Sequence, residues 1–477
     1  MNKAFYITTT LPYVNAAPHV GFASEIIYAD VRARFERQRD KDIVFNTGTD
    51  EHGIKIWQCA QEQDIDAQKY VDEYAIKFDE LKQLLNLDYT HFIRTTNAHH
   101  KAAAQEMWKR VDVNGYIYKK QYSVKYCVGC ELEKTDSELV DGECQWHPGK
   151  KLEIIEEENY FFKFSAFQEK LLELYKNNPQ FVVPKKRLNE IRSFVESGLQ
   201  DFSVSRLKSK MPWGVDVPGD DDHVMYVWFD ALTNYVSTLG WPENTENFEK
   251  FWGTVSMPQA IQIAGKDNLR QQSAMWQAML MAADLPTSKQ IFINGFIDVD
   301  GRKMSKSIGN VIAPSEMVAR YGIDGTRYLL LTKSNFGEDS DITWDKMDAK
   351  FNADLANGIG NLTARIIKLG ENSDFDVDSI AFIADEKSVE RFETMELNGE
   401  LESIMSHVRI ANKKIEDTKP WELVKTDMEA YAKIMQELLT DLTFIAHSLK
   451  PFMPESAEKI LQALKTRERV ILFARIA

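Results

Sequence analysis

Three of the four cysteines in the chain lie close together, and a histidine follows the last of them. Cys127 and Cys130 are separated by two residues, and Cys144 and His147 repeat this spacing. Two such chelating pairs can close one tetrahedral zinc site, and four protein ligands leave no open position for catalysis. A Cys-x-x-Cys pair can also be redox-active, but a second pair that ends in histidine favours a metal. We therefore predict one structural zinc ion per chain.

Two further segments carry residues suited to phosphate chemistry. Residues 18–22 read Pro-His-Val-Gly-Phe, and residues 301–307 read Gly-Arg-Lys-Met-Ser-Lys-Ser. At the first turn of a helix, backbone N–H groups and the His19 imidazole can hold a phosphate. The lysines and serines of the second segment can follow a triphosphate while pyrophosphate leaves. Each segment alone also has a plainer interpretation, namely a histidine that only contacts backbone and a solvated basic turn.

The elements around the first segment predict a parallel sheet. Residues 4–9 are rich in aromatic and β-branched side chains, as in a buried strand. From residue 20 to residue 35, apolar side chains recur at steps of three and four, which predicts an amphipathic helix. A second strand is predicted at residues 42–46. A strand–helix–strand unit implies a parallel sheet that binds ligands at the carboxyl ends of its strands.

Further along the chain, the pattern predicts an interrupted sheet and then a helical bundle. Residues 120–160 read as short polar segments around the cysteines, and charged helical stretches follow to about residue 210. Strand-like apolar runs return at 224–229, 260–264 and 290–296, which indicates an inserted domain. From about residue 348 helical periodicity dominates, as in segments 355–369, 401–415 and 428–449, and a helical bundle fits this stretch.

Composition excludes several classes of protein. The 477 residues include 44% hydrophobic and 27% charged residues, so the chain is too apolar for a disordered protein. The net charge of −15 argues against a protein that coats nucleic acid in general, although local basic patches can still hold a specific partner. The chain begins with no signal peptide and has no apolar run of roughly 18–20 residues. We therefore expect a cytoplasmic protein without a membrane partner.

Together, the two phosphate-binding segments are more specific than either alone. His-Val-Gly at 19–21 and Lys-Met-Ser-Lys-Ser at 303–307 match the two signatures of class I aminoacyl-tRNA synthetases. The whole chain resembles the methionyl-tRNA synthetase family, in its bacterial-type form with a single zinc knuckle. The segments that carry this resemblance are Leu-Pro-Tyr-Val-Asn at 11–15, Gly-Thr-Asp-Glu-His-Gly at 48–53, Tyr-Val-Trp-Phe-Asp-Ala at 226–231, Gly-Lys-Asp at 265–267 and Lys-Pro-Phe-Met-Pro at 450–454.

The resemblance implies an α/β fold with a Rossmann-like parallel-sheet catalytic domain, an inserted zinc-binding connective domain and an all-α anticodon-binding bundle. We expect the first half of the catalytic domain at 1–115, the connective domain at 116–223, the second half with the Lys-Met-Ser-Lys-Ser loop at 224–347, and the bundle at 348–477. The chain ends soon after the bundle, without the appended tRNA-binding module of dimeric relatives, so we expect a monomer.

The resemblance also implies the reaction and its nucleotide site. The enzyme would activate L-methionine with ATP to methionyl-adenylate and transfer it to the 3′ end of tRNA(Met), with Mg²⁺ bound to the ATP. The implied catalytic residues are His19, Lys303 and Lys306. The implied ATP-binding residues are those three together with Gly21, Asp267 and Ser305.

A methionine pocket is implied by the same resemblance. A thioether is soft and apolar and gains from aromatic walls, while the ammonium group needs a carboxylate, for which Asp50 is the candidate. The implied methionine-binding residues are Leu11, Tyr13, Asp50, Trp228, Ala231, Tyr235, Gln272 and Trp276. Taken one at a time, each aromatic residue is more simply explained by plain core packing, and Asp50 could be a turn residue beside Gly48.

Asn361, Arg365 and Trp421 are the candidate anticodon-binding residues. Asn361 and Arg365 are four residues apart and project from one face of a helix. A base can stack on tryptophan while asparagine and arginine read hydrogen-bonding edges, and in the family this set reads the CAU anticodon. Without the resemblance, a surface polar pair and a core tryptophan would explain the same residues.

The sequence departs from the family at two places. Phe22 replaces the second histidine of the first signature, and Gln271-Gln272 replaces Phe-His after Gly-Lys-Asp. Loss of one transition-state donor typically costs about 3–4 kcal/mol when nothing replaces it. These changes motivate an alternative, a tRNA-binding relative with impaired amino-acid activation. A class I enzyme for leucine, isoleucine or valine would have a larger insert, and a cysteine enzyme would hold its zinc in the active site.

Overall fold

The computed structural model describes residues 3–476, except residues 131, 135–138, 305–308, 372–375, 377–379 and 381–382. Contacts along the chain divide it into two compact units. The first unit comprises Met1–Ala17, Ile43–Glu80 and Tyr89–Ile293, and the second comprises Pro18–Asp42, Leu81–Asp88 and Asn294–Ala477. Within the described part of the chain, no helix has the length and apolar character needed to cross a membrane.

A six-stranded sheet forms the centre of the first unit. In spatial order its strands are His91–Arg94, Asp42–Thr49, Ala4–Thr9, Ile261–Gly265, Gln290–Asn294 and Val182–Val183. The register is parallel between the first and second of these strands, the third and fourth, and the fifth and sixth. All residues of the strand Ala4–Thr9 are buried, as expected for a central strand covered on both faces.

The strand order determines where this sheet can bind a ligand. The chain builds outward in one direction from Ala4–Thr9 and then returns to place Ile261–Gly265 on its other side. In open parallel sheets, ligands bind beyond the carboxyl ends of the strands at such a reversal. The residues just after Thr9, Thr49 and Gly265 are therefore the ones placed for binding.

The predicted central strands are confirmed, with boundaries shifted by a few residues. The prediction of a strand at 224–229 is wrong. There the chain forms the strand Asp220–Met225, in a separate sheet with Ser205–Leu207 and Asp216–Val217, and then the helix Val227–Leu232. A short apolar run cannot distinguish a buried strand from a buried helix by periodicity.

The stretch 120–160, predicted as short polar segments, contains long β-strands in the structure. Ile117–Cys127 and Glu153–Phe162 form a long antiparallel pair, which is joined by Phe202–Ser203 and Leu132–Lys134 in a four-stranded sheet. Lysines interrupt the first of these strands and glutamates the second, so neither reads as an apolar run. Two short pairs complete the sheets of this unit: Leu139–Val140 with Glu143–Cys144, and Gly253–Thr254 with Met257–Pro258.

The first unit also contains nine α-helices among its described residues. The α-helices are Ile54–Glu62, Ala67–Asp79, Ala98–Val113, Gln168–Asn177, Lys185–Glu196, Val227–Leu232, Asn234–Ser237, Thr245–Phe251 and Trp276–Ala282. Shorter helical turns occur at Phe164–Phe167 and Lys266–Asn268, and a π-helical turn at Gln271–Met275 leads into the last helix.

The second unit is mainly helical. Its α-helices are Val20–Gln38, Leu81–Leu84, Pro314–Leu331, Trp344–Lys350, Asn361–Leu369, Glu386–Glu393, Leu397–Thr418, Pro420–Thr426, Met428–Leu449 and Pro454–Thr466, and a π-helical stretch spans Phe351–Gly360. A small sheet orders Arg302–Lys303, Ile297–Val299 and Ser340–Ile342. Proline at the first position favours the start of three of these helices because its missing N–H would have no helical partner.

A buried charge pair ties three parts of the second unit together. Arg327 is fully buried and bonds to the Asp30 carboxylate at 2.7 Å. Its guanidinium also donates to the carbonyls of Phe452 at 2.7 Å and Pro451 at 3.0 Å. A buried guanidinium is tolerated when its donors are satisfied. The Lys-Pro-Phe-Met-Pro segment that carries part of the resemblance is therefore a backbone partner for this arginine.

Candidate functional site

Two loops meet beyond the carboxyl ends of neighbouring strands in the first unit. Tyr13 and Asp50 form an isolated parallel bridge, in which the Asp50 N–H donates to Pro12 at 3.0 Å and the Val14 N–H donates to Asp50 at 3.2 Å. The Asp50 side chain is only 6% exposed. Leu11 and Tyr13 are half-buried. The bridge fixes a buried carboxylate beside Tyr13, at the edge where the sheet order places ligands.

Aromatic side chains of the same unit provide apolar walls. Tyr235 and Trp276 are buried, with ring centroids 5.8 Å apart in an edge-to-face arrangement. Trp228 is half-buried, and Ala231 follows it by three residues on the same helix and is buried. Among the described residues, the indole nitrogens of Trp228 and Trp276 have no hydrogen-bond partner. Buried donors of this kind need a partner, which a ligand or water can supply.

A glutamine network supports the tyrosine of this wall. The Gln272 amide donates to the Tyr235 hydroxyl at 2.5 Å and accepts from the Gln262 amide at 3.2 Å. Ser288 in turn donates to Gln262, and the Gln277 amide donates to the Gln272 carbonyl at 2.9 Å. All four polar residues are buried. Gln272, a departure from the family pattern, thus has a defined role as a donor to Tyr235.

A buried carboxylate flanked by two histidines lies beneath the aromatic helix. Asp230 accepts from His52 at 2.6 Å and from His100 at 2.9 Å, and all three side chains are buried. Burial raises the pKa of the Asp230 carboxyl, but the two histidines outweigh this effect and hold the pKa well below its usual range. Because His52 is two residues from Asp50, and Asp230 two from Trp228, this cluster links the carboxylate loop to the aromatic helix.

Sequence reasoning did not single out this histidine–aspartate cluster. His52 and Asp230 both lie in segments that carried the family resemblance, but nothing in the sequence pairs them across the chain. His100 lies on the helix Ala98–Val113, in a part of the sequence that carries no motif. The one available signal was that His52 and Asp230 each lie two residues from a predicted methionine-binding residue. Ionisable residues at such positions are too common for this signal to be specific.

The two predicted phosphate-binding segments come together within the second unit. His19 caps the helix Val20–Gln38, and its Nδ1 accepts from the Gly21 N–H at 3.0 Å. A Cβ atom at Gly21 would lie 2.7 Å from the His19 ring and 3.6 Å from the end of Met304. The Val20 N–H donates to Ile312, just beyond the second segment, at 3.1 Å. The glycine therefore allows the close approach of the His19 ring, while Met304 lies at an ordinary contact distance.

Two of the remaining nucleotide-binding candidates, Lys303 and Asp267, are exposed. Lys303 belongs to the small sheet of the second unit, and its Nζ lies 4.7 Å from the centre of the Phe296 ring. Asp267 is exposed on the turn Lys266–Asn268 of the first unit. Ser305 and Lys306 lie outside the described residues. Phe22, the other departure from the family, is half-buried on the helix that His19 caps.

The candidate anticodon residues lie on the helices of the second unit. Asn361 begins the helix that follows the π-helical stretch and is exposed. Arg365 is half-buried, donates to the Asn412 side chain at 3.1 Å and lies 3.6 Å from the Glu416 carboxylate. Trp421 is 43% exposed, so it is not a core tryptophan. Residues 412 and 416 lie on Leu397–Thr418, the helix that ends just before Trp421.

The predicted metal ligands converge in the first unit. The ligand atoms of Cys127, Cys130, Cys144 and His147 all lie within 4.8 Å of one another. The Cys130 sulfur lies 3.3 Å from that of Cys144 and 3.2 Å from His147 Nδ1. These separations are close to the edges of a tetrahedron around zinc, for which a Zn–S bond of about 2.3 Å implies edges of about 3.8 Å. Three thiols and one imidazole therefore fit a structural metal centre.

The backbone around the cluster is shaped for this arrangement. A Cβ atom at Gly129 would lie 2.5 Å from the His147 ring, so only glycine allows the imidazole to approach the two cysteines. Cys59, the fourth cysteine of the chain, is half-buried on the helix Ile54–Glu62 and lies outside this cluster.

Comparison with known proteins accounts for nearly the whole chain. The model of the family "tRNA synthetases class I (M)" matches residues 5–148 and 133–367. The model "Anticodon binding domain of methionyl tRNA ligase" matches residues 381–472. The second match begins after Asn361 and Arg365 and includes Trp421.

Relatives and solved structures agree with these matches. A methionine–tRNA ligase of Brucella suis is 40% identical over 97% of this chain and 92% of its own length. One of Caldanaerobacter subterraneus is 38% identical over 98% of this chain and 75% of its own. The methionyl-tRNA synthetase of Mycobacterium tuberculosis in complex with methionyl-adenylate superimposes with a TM-score of 0.89 at 38% identity, covering 96% of this chain and 93% of that one.

The parallel sheet with its reversal, the approach of Met304 to the His-Val-Gly segment and the helical second unit, together with the family match, define a class I aminoacyl-tRNA synthetase. The matches described above give no support to a relative with impaired activation. Within the class, the chain belongs to the methionine–tRNA ligase family, enzymes that activate methionine with ATP and transfer it to tRNA.

Proposed function

We propose that the pocket around Asp50 binds L-methionine and aligns its carboxylate for attack on the α-phosphorus of ATP. The observation that carries this proposal is the buried Asp50 carboxylate, bridged to Tyr13 at the carboxyl edge of the sheet. A buried negative charge next to aromatic walls suits a ligand with an ammonium group and an apolar side chain. The methionine oxygen forms a bond to phosphorus while the bond to the β-phosphate oxygen breaks and pyrophosphate leaves.

The walls of this pocket bind the side chain of methionine. Tyr235 and Trp276 face the thioether, Trp228 and Ala231 line the same space, and Gln272 holds Tyr235 in place. Leu11 and Tyr13 close the pocket from the loop that bridges to Asp50. Sulfur–aromatic contacts stabilise a thioether by about 0.3–1.5 kcal/mol each, which favours methionine over aliphatic amino acids of similar size.

ATP is bound by residues from both signatures. His19 and the backbone of Gly21 contact the phosphates, and Lys303, Ser305 and Lys306 stabilise the pyrophosphate together with Mg²⁺ that arrives with ATP. Asp267 contacts the ribose. These groups position the reactants and neutralise charge that grows as pyrophosphate leaves, so they act mainly on the transition state. The terminal ribose hydroxyl of tRNA then attacks the methionyl carbonyl, and AMP leaves.

Recognition of tRNA(Met) is assigned to the second unit. The exposed indole of Trp421 stacks on a base, while Asn361 and Arg365 read hydrogen-bonding edges of the CAU anticodon. Arg365 reaches Asn412 and Glu416, contacts that restrict the rotamer of its long side chain. This fixed arginine beside an exposed asparagine suits direct reading of unstacked bases.

The metal of the cysteine–histidine cluster is zinc, with one structural ion per chain. Four such ligands saturate a tetrahedral ion and leave no position for substrate. The working protein is a monomer that acts in the cytoplasm, where tRNA is charged for protein synthesis. We retain the boundaries 1–115, 116–223, 224–347 and 348–477 for its four functional segments.

Amino-acid-dependent exchange of pyrophosphate into ATP, run over a panel of amino acids, tests this proposal. Exchange with methionine and with no other amino acid is the expected result, because only methionine suits both the carboxylate and the aromatic walls. Lys306→Ala should lose exchange far more than methionine binding, since its charge acts as pyrophosphate leaves. Exchange that depends on another amino acid, or equal losses in binding and chemistry, would count against it.

A further inference from the structure

Trp213 lies in a loop of the predicted insert, at residues 208–215 between two short strands, and is half-buried. Its indole Nε1 donates to the Glu51 carbonyl at 2.6 Å, and its own carbonyl accepts from the Gly53 N–H at 3.2 Å. The insert therefore makes two hydrogen bonds to the backbone directly after Asp50. Nothing assigned so far uses Trp213 or the side chain of Glu51.

The Glu51 side chain anchors this stretch of backbone to the neighbouring strand. Its fully buried carboxylate accepts from the Arg94 guanidinium at 2.7 and 2.9 Å. The hydroxyls of Thr49 and Thr96 donate to it at 2.6 and 2.5 Å. Four donors satisfy the lone pairs of a carboxylate, so this side chain has no capacity left for a substrate ammonium group. The buried Glu51 carbonyl still needs a donor of its own, and Trp213 supplies it.

The indole ring of Trp213 also packs on the residue that follows Glu51. Its centroid lies 5.5 Å from that of the His52 ring, and His52 in turn is bonded to Asp230 at 2.6 Å. Gly53 has a φ of 115°, a backbone conformation that favours glycine, and lets the chain turn into the next helix. Trp213 thus contacts the three consecutive residues that follow the proposed ammonium ligand. Through His52 it is also connected to the cluster beneath the aromatic helix.

We propose that Trp213 is a positioning residue for methionine activation, which holds the Asp50 carboxylate at the place where the substrate ammonium group binds. The inference rests on the proposed role of Asp50. The bridge to Tyr13 fixes the two peptide groups of Asp50, and Trp213 fixes the next one along the chain. Without the indole N–H, the Glu51 carbonyl loses its donor and the neighbouring carboxylate loses part of its fixed direction. Because small displacements of a group that aligns the substrate reduce activity steeply, the insert takes part in amino-acid recognition through this residue.

Steady-state pyrophosphate exchange of Trp213→Phe in the full-length enzyme tests this role. The substitution removes the Nε1 donor and keeps an aromatic ring next to His52. Trp213→Tyr lacks the same indole donor and serves as a second variant with a ring. Gln105→Leu is the matched control, since the Gln105 amide donates at 3.2 Å to the Asp216 carbonyl of the same insert and not to the Asp50 loop. For each protein we measure kcat, the KM for methionine, the KM for ATP and the melting temperature.

We expect both Trp213 variants to raise the KM for methionine about 2- to 10-fold, the range for loss of one hydrogen bond, with the KM for ATP unchanged and Gln105→Leu equal to wild type. In an Asp50→Asn background, Trp213→Phe should change kcat/KM for methionine by less than about 2-fold, because the charge that it positions is gone. Trp213 variants equal to Gln105→Leu, or with the same loss in both backgrounds, would overturn the inference alone. If Asp50→Asn kept normal exchange, the proposed role of Asp50 would fail and the inference would fall with it.

Discussion

The proposed methionine pocket and the proposed anticodon surface are built in opposite ways. The pocket residues Asp50, Tyr235, Gln272 and Trp276 are all buried, and Gln272 belongs to a continuous hydrogen-bond network. The anticodon candidates Asn361 and Trp421 are exposed. Both regions nevertheless sit beside a π-helical turn, at Gln271–Met275 and Phe351–Gly360, a feature that often marks functional positions.

This contrast follows from the size of the two ligands. An amino acid can be surrounded, so a dry pocket with fixed dipoles can select it by shape and charge. An RNA loop cannot be enclosed, and its bases must reach side chains that project from the surface. Damage to the pocket should therefore alter every step that involves methionine, whereas damage to the surface should alter only the steps that involve tRNA.

Asp50→Asn should give the largest effect. The substitution keeps the shape of the side chain but removes the charge that we propose faces the methionine ammonium group. Breaking a buried charge pair costs about 2–5 kcal/mol, so kcat/KM for methionine in pyrophosphate exchange should fall at least about 30-fold. Binding of the tRNA to the same variant should be unchanged. An Asp50→Asn enzyme with normal exchange would remove the carboxylate from the proposed site.

Trp421→Ala should give the next largest effect, and only on the tRNA side. Base stacking on an aromatic side chain contributes about 1–3 kcal/mol, which corresponds to a roughly 5- to 150-fold loss of charging efficiency. The loss should be much smaller with a tRNA whose CAU anticodon is already altered, and a double-mutant comparison measures that coupling. If helical signal and thermal stability fall instead, Trp421 acts in packing and not in recognition.

Gln272→Leu should have a smaller effect, on methionine use. It removes the donor to the Tyr235 hydroxyl while keeping an apolar side chain of similar size. The net value of one hydrogen bond, about 0.5–1.5 kcal/mol, predicts a roughly 2- to 10-fold rise in KM for methionine. Gln272→His, the family's residue, should restore KM near neutral pH. An unchanged KM in the leucine variant would show that the glutamine network does not position Tyr235.

Cys130→Ser should have the smallest effect on methionine activation and the largest on metal content. Metal analysis of wild-type protein purified without added zinc should give about one equivalent, since structural zinc binds with roughly 10–16 kcal/mol of free energy. The variant loses one of four ligands and should lose its zinc, while exchange with methionine changes little. Unchanged metal content in Cys130→Ser would contradict the assignment of this cluster.

The outline of the fold was predictable because local signals agreed with the final structure. The strand Ala4–Thr9 and the helix Met428–Leu449 match their predicted limits, and the cysteine spacing identified four residues whose candidate ligand atoms converge. The helix Val227–Leu232 was not predictable, because a short apolar run fits a strand equally well.

Contacts between distant residues were also beyond the reach of the sequence. The network from Gln262 to Tyr235 and the pairing of His52 with Asp230 depend on the tertiary structure, and no local sequence pattern predicts them. Trp421 was open to two interpretations until its exposure was known. Residue types can thus identify a ligand class, while the groups that hold those residues in place become visible only in three dimensions.

The most direct test of the contrast between pocket and surface measures two rates on the same proteins. Methionine-dependent pyrophosphate exchange and charging of tRNA(Met) are compared for wild type, Asp50→Asn and Trp421→Ala. The account predicts that Asp50→Asn loses both activities together, whereas Trp421→Ala keeps exchange and loses charging. A folded Trp421→Ala enzyme whose exchange falls as much as its charging would contradict the separation of the two sites.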